Sequence, residues 1–205
     1  MQTRIIKQEL PFLCYFESTY TRKHIGYYDM VKKKLTKTHL LDVSLRCCIQ
    51  VCFSLLAYDL NNYWSSFTDL HKNCFTEKKL AAPIFSARDK CSMASYQDRL
   101  IFVTGGTTRD ARMPMRGFIR SFKGVFCYDI GSGTWTEAPE MNEARDSHGS
   151  TILNTTLYVY AGYGLSGALG RLINIDCGVF EATASWETLQ IADSAFTGPL
   201  ILPLN

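Results

Sequence analysis

Apolar and polar positions along this chain alternate in short runs, broken by glycine, asparagine and polar stretches. The clearest segment, Val125 to Gly164, reads VFCYDIGSGTWTEAPEMNEARDSHGSTILNTTLYVYAGYG. VFCYDI has the β-branched and aromatic make-up of a strand, Gly131 and Gly133 supply a turn, and Trp135 follows on the return strand. Thr151 to Leu153 and Leu157 to Tyr160 form a second hairpin around Asn154 and Thr155, closing on Ala161 and Gly162. A lone hairpin is marginal in water, so four such strands must pack against more of their own kind.

The rest of the chain supplies copies. AYDLNNYW, Ala57 to Trp64, repeats CYDIGSGTW, with Tyr58, Asp59 and Trp64 in the places of Tyr128, Asp129 and Trp135. SARDKCSMASYQDRLIFVTGG, Ser86 to Gly106, repeats the stretch from Glu143, and Arg88 lies 17 residues before Gly105 as Arg145 lies 17 before Gly162. A weaker copy, Tyr27 to Lys37, puts Leu35 where the Trp belongs; a last one, Ile173 to Trp186, has four extra residues between Asp176 and Trp186. Self-similarity with a period of about 50 residues is the mark of a repeat architecture.

Gly105-Gly106, Tyr128-Asp129, Trp135, Met141, Arg145, His148 and Gly162 together resemble the kelch repeat, whose four-stranded blades build a β-propeller. The resemblance is best from Ser86 to Trp186, weaker over Tyr58 to Trp64 and thin before that; Cys91 stands in the slot of His148, and Tyr163 replaces the second Gly of a doublet. It implies an all-β fold: an incomplete kelch-type β-propeller of roughly three to four blades, the N-terminal one degenerate. Residues 1–26 read as a poorly defined N-terminal segment and 27–205 as the propeller segment, with the clearest blades at about 91–137 and 147–187. Closed rings have about 4 to 8 blades, so the segment is expected to self-associate or to need further blades, because open strand edges and apolar blade faces invite association.

Composition narrows the class. With 46% hydrophobic and 20% charged residues and a net charge of +3, the 205-residue chain is of ordinary globular make-up. MQTRIIKQEL has no apolar run ending in a small-residue cleavage site, which argues against a secretory signal. PFLCYF after it reads either as a strand of the outermost blade or as a loose terminus. HLLDVSLRCCIQVCFSLLAY, His39 to Tyr58, is the most apolar stretch, but Asp42, Arg46 and Gln50 interrupt it where a membrane span needs about 20 apolar residues. A buried strand is expected there, in a blade with almost no room for loops. Cys47, Cys48, Cys52, Cys91 and Cys127 lie in or beside strands and read as small hydrophobes. No CxxC recurs and the four histidines lack ligand spacing, so no metal or cofactor is expected, and a reducing cytoplasm is the expected compartment. Lys32 to Lys34 falls where a turn belongs and reads as solvated; neither nucleic acid nor membrane is expected as a partner.

The recurring residues read as structural. Trp64, Trp135 and Trp186 recur once per blade, as residues packing between blades would. Arg88 and Arg145 suit a brace, Asp59 and Asp129 precede turns whose backbone they can accept from, and His148 has no nucleophile indicated beside it. Two insertions stand outside the repeat. Trp64 to Arg88 takes 24 residues against 10 from Trp135 to Arg145, and Gly105 to Asp129 takes 24 against 14 from Gly162 to Asp176. Strand alternation brings both out on one face, so the loops Asp69 to Pro83 and Thr107 to Lys123 are expected to be neighbours. The second has five basic residues against Asp110, a local charge of +4. Arg109, Arg112, Arg116, Phe118, Arg120 and Lys123 form the candidate partner surface, since arginine forks grip carboxylates or phosphates and the interleaved Met and Phe give adaptable apolar contact.

The kelch resemblance implies a non-enzymatic scaffold that presents blade loops to a protein partner, here an acidic one. Some kelch proteins are substrate receptors of ubiquitin ligases; with no BTB or F-box-like segment in the N-terminal residues, that role would need a partner chain. The alternative is a propeller enzyme of the sialic-acid mutarotase or copper radical oxidase type, the latter requiring Tyr and His ligands that four scattered histidines do not suggest.

Overall fold

Alternation and turn chemistry are realised as antiparallel sheets that follow one another along the chain. The computed structural model describes residues 12–18, 23–40, 45–51, 54–59, 64–68, 76–81, 83–85, 88–109, 119–163, 169–172 and 186–189. The first sheet holds β1 (Phe12–Ser18), β2 (Lys23–Asp29) and β3 (Lys34–Leu40) in that order, so PFLCYF contributes to a strand. Between β2 and β3 the lysine run makes a turn: Asp29 Oδ1 accepts from Val31 N (3.0 Å) and Lys32 N (2.9 Å), and Lys33 adopts φ +52°.

The second sheet runs β4 (Leu45–Val51), β5 (Ser54–Asp59), β6 (Trp64–Thr68), β7 (Thr76–Lys79). Two expectations change here. The apolar stretch from His39 to Tyr58 is not one strand: it is the end of β3 and the β4–β5 hairpin, with Val51, Leu56 and Ala57 buried. The region from Asp69 to Pro83 is not simply a loop either, because β7 pairs along β6 as the fourth strand (69–75 lie outside the described residues). The Tyr58-Asp59 strand is thus second in its sheet, and the insertion supplies the outer strand that the short blade otherwise lacks.

The third sheet has β8 (Ser92–Tyr96), β9 (Leu100–Thr104), β12 (Val125–Asp129) and β13 (Thr134–Ala138), and between its middle strands a two-stranded ribbon, β10 (Thr107–Arg109) with β11 (Ile119–Ser121). The fourth has β14 (Gly149–Leu153), β15 (Thr156–Tyr160), β16 (Leu169–Leu172) and β17 (Trp186–Leu189). Its third strand is LGRL rather than the expected INID, which lies outside the described residues. β1, β4, β8 and β14 adjoin in succession, so the sheets stack with their first strands side by side.

All five residues of β9 are buried, because both faces of the third sheet are covered. Leu100 and Phe102, with Val125 and Cys127 of β12, pack on Leu157, Val159 and Trp186 of the fourth sheet. Their alternates Ile101, Val103, Phe126 and Tyr128 pack on Val51, Leu56 and Trp64 of the second. Cys91 and Cys127 are free thiols inside these clusters, as small hydrophobes would be; burial, with the nearby Asp129 charge, pushes the Cys127 thiol up to about 12. Among the described residues there is no helix long and apolar enough to cross a membrane.

Candidate functional site

The recurring residues meet where the third and fourth sheets join. Arg88 enters the third sheet and Arg145 the fourth, and each turns inward to a carbonyl at the end of the second strand of its own sheet: Arg88 Nη1 donates to Gly105 O (3.2 Å) and Arg145 Nη1 to Ala161 O (3.1 Å). Both are buried, and burial lowers the Arg145 pKa against the opposing pull of Glu143, 3.6 Å away. The Arg88 guanidinium also lies over the rings of Phe122 (4.2 Å), Phe126 (5.0 Å) and Phe85 (5.3 Å). They are braces, as their recurrence suggests.

The glycines keep a register one residue away from the expected one. Gly105 and Gly106 have φ of +57° and +93°, and their counterparts are Ala161 (+59°) and Gly162 (+83°). The bridges agree: Asp89 pairs with Thr107, and Asp146 with Tyr163. Tyr163 therefore takes the place of Thr107, and Ala161 replaces the first glycine. The cause is hairpin length, since the turn between β8 and β9 has three residues, Gln97 to Arg99, and that between β14 and β15 has two, Asn154 and Thr155. Gly106 and Gly162 play the same part: a Cβ on Gly106 would lie 2.8 Å from Asp89 O and 3.0 Å from Cys91 Cβ, and one on Gly162 2.7 Å from His148 Cβ. Cys91 thus fills the His148 position in packing.

His148 ties the two sheets together. Its Nε2 shares a 2.8 Å hydrogen bond with Thr104 Oγ1, Ser150 Oγ bonds Ser92 Oγ at 2.8 Å, and Gly106 N donates to Arg145 O at 3.0 Å. Burial, then the Arg145 charge, pushes the imidazole down to about 4 against the opposing pull of Asp146. The unfolded chain, whose histidine titrates near 6.5, therefore binds an extra proton between these values. Stability from this group is complete above pH 6.5 and lost as pH falls towards 4, a change on the order of 3 kcal/mol. Urea unfolding at pH 7 and pH 4.5 measures it: His148→Gln is expected to flatten the dependence, and an equally steep variant would assign it to carboxylates.

The tryptophans are inter-sheet contacts. Trp64 of the second sheet meets Tyr128 (5.9 Å, edge-on) and Trp135 (5.4 Å) of the third, and Trp186 packs in the cluster between third and fourth. Trp135 Nε1 donates to Ala81 O (3.1 Å) and Trp186 Nε1 to Pro139 O (2.8 Å), each in the segment leading into that indole's own sheet. Asp129 holds its turn through Gly131 N (2.8 Å). A bidentate pair with Arg99, at 2.9 and 2.7 Å, is the chief cause that keeps its carboxyl well below the usual range. The Tyr58 and Asp59 side chains and Asp176 are outside what the structure describes.

Of the candidate partner residues, Arg109 and Arg120 fall on β10 and β11, where Thr108 faces Arg120 and Arg109 faces Ile119; Lys123 is exposed at the ribbon's foot. Arg112, Arg116 and Phe118 lie outside the described residues. At the foot of the ribbon Thr107 exchanges reciprocal 2.7 Å bonds with Asp89, which follows the first insertion. Sequence reasoning missed Asp146, a buried carboxylate that accepts from Ser121 Oγ of β11 at 2.7 Å, together with Arg99 and Thr104. The signal for Asp146 was present in the repeated dipeptides Arg88-Asp89 and Arg145-Asp146. Among the described residues no cluster of His, Cys, Asp and Glu is arranged to hold a metal ion.

Residues 94–142, from β8 to just past β13, match the Kelch motif. These residues carry a kelch motif. The chain is 34% identical over 80 residues, 39% of its length, to Beta-scruin of Limulus polyphemus, of which that match covers 8%. The solved structure of YjhT aligns with 65% of this chain at a TM-score of 0.48 and 16% identity, over 35% of its own length. The chain spans less than two thirds of either protein, and its described strands form successive antiparallel sheets, three of them four-stranded.

Proposed function

We propose that this chain is a non-enzymatic protein-interaction module that presents its blade insertions to an acidic partner. The observation that carries the reading is how the repeat's recurring groups are used. Arg88, Arg145, His148, Asp129, Trp135 and Trp186 are each engaged with backbone or side chains of their own or the next blade, so they build a frame. The groups left over for recognition belong to the β10–β11 insertion, with Arg109, Arg112, Arg116, Phe118, Arg120 and Lys123. A cytoplasmic scaffold, with or without a role as ubiquitin ligase adaptor, is consistent with this reading.

Changing Arg112, Arg116 and Arg120 together to Glu is expected to abolish capture of acidic partners from a cell extract. The melting temperature should hardly move, because substitutions away from the packed core shift stability by less than about 0.5 kcal/mol. Wild-type capture should also weaken with salt, since exposed charges are screened beyond about 8 Å at physiological ionic strength. Identical partner sets for wild type and triple variant would remove the insertion from the binding surface.

A further inference from the structure

We propose that the far face of the fourth sheet is a docking surface for a second copy of this chain, joined to it about a two-fold axis in a closed dimer. This goes beyond the reading above and uses none of the insertion's residues.

Two equivalent faces are used differently. In the third sheet Leu100, Phe102 and Thr104 of β9 turn towards the fourth sheet and are 3%, 0% and 0% exposed. Their counterparts on β15 are Thr156, Tyr158 and Tyr160. Strand alternation turns these three away from the third sheet, because Leu157 and Val159 between them pack on it. They are only half-buried, and Leu153, paired with Thr156, is 48% exposed. The fourth sheet thus offers the kind of face that its neighbour keeps covered.

The register of the face selects a second copy. Thr151, Tyr158, Arg171 and Glu187 pair in turn across β14 to β17, so they form one cross-strand row. That row is complementary to itself inverted. Sheets packed in alignment about a two-fold axis that runs along the strands, between β15 and β16, set β15 over β16 of the copy and β14 over its β17. Each Tyr158 then meets the copy's Arg171 as a cation–π pair, and each Thr151 hydroxyl meets the copy's Glu187 carboxylate; no like charges meet in the row. In the row beside it the copy's Leu169 meets Tyr160, whose ring lies flat across Gly149: a Cβ on Gly149 would be 2.5 Å from Tyr160 Cζ. Every contact is made twice, so the pair is closed and recruits no third copy. One sheet face is smaller than the about 800 Å2 that each partner buries in a standard interface, so the dimer is weak, with a Kd on the order of 100 µM.

The test is sedimentation velocity of the full chain over about 1–500 µM, a range that brackets the expected Kd. It compares wild type, Tyr158→Lys, Arg171→Glu, an equimolar mixture of these two variants, and Leu35→Glu, at an exposed position of the first sheet. Wild type should pass from monomer to dimer and stop there. Tyr158→Lys, which sets an ammonium against the copy's Arg171, and Arg171→Glu, which removes both cation–π pairs, should each weaken association by about tenfold. The mixture should recover it, because the new ammonium of one chain then meets the new carboxylate of the other. Leu35→Glu should leave it unchanged. Thermal melts by circular dichroism confirm that the variants fold, and Arg171→Glu carries the test alone should Tyr158→Lys not. A monomeric wild type, growth past the dimer, wild-type association in either variant, or a mixture no better than its parts would overturn the proposal. Loss in Leu35→Glu alone would overturn it too, and would place the contact on the first sheet.

Discussion

Gly105→Val is expected to cost about 4 kcal/mol or more, enough to leave little folded chain, because it combines a strained backbone with a clash that has no outlet. The glycine holds φ +57°, and a Cβ there would press into the Arg145 carbonyl oxygen and come within 2.6 Å of His148 Cε1. That carbonyl belongs to the next blade's backbone and already accepts from Gly106 N at 3.0 Å, so yielding to the new side chain breaks the joint itself. Ala161 provides the control. It holds φ +59° at the equivalent place in the fourth blade, so Ala161→Gly should alter stability by less than about 1 kcal/mol. Urea titrations of the two variants separate the cost of the dihedral from the cost of the neighbour, and a Gly105→Val chain as stable as wild type would refute the joint.

Trp64→Ala is expected to lose about 3–5 kcal/mol, the usual cost of deleting a buried indole. Trp64 is 1% exposed and is the second blade's main contribution to the aromatic cluster with Tyr128 and Trp135, so the cavity left behind lies between two blades that cannot both relax into it. A fall in melting temperature of roughly 10 °C follows for a chain of this size. Trp135→Ala should cost less, because its ring is only part-buried. Equal costs for the two would mean that the second blade does not depend on Trp64 for its seat.

What the sequence made legible is what physics repeats. Arg88 and Arg145, the glycine pairs and the tryptophans recur because every blade must brace its first two strands, turn tightly against the next blade and seal the seam. The strands of the third blade were plain for the same reason, their apolar residues unbroken because both faces are covered. The failures were local. β7 reads TEKK, without apolar alternation, because an outer edge strand keeps its charges in water, so hydropathy had nothing to report. β16, LGRL, is short and contains a glycine, and the more hydrophobic INID that follows drew the assignment away from it. The glycine register slipped by one because fixed spacing from the arginine assumes equal hairpins, and Gln97 to Arg99 makes one of them longer. In the candidate sites, the cationic insertion was visible as a charge imbalance.

The foot of the ribbon is sewn to the frame on every side. Asp89 and Thr107 exchange two bonds, Phe122 N donates to Gly106 O at 3.0 Å, Met141 N to Lys123 O at 3.0 Å, and Ser121 Oγ to Asp146. With both ends so fixed, lengthening the interval between Arg109 and Ile119 costs only about 0.6 kcal/mol per doubling. Mutation can rewrite that cassette while selection on the frame stays blind to it. Lineages carrying this architecture can exchange one short interval of the gene with no need to re-evolve a fold.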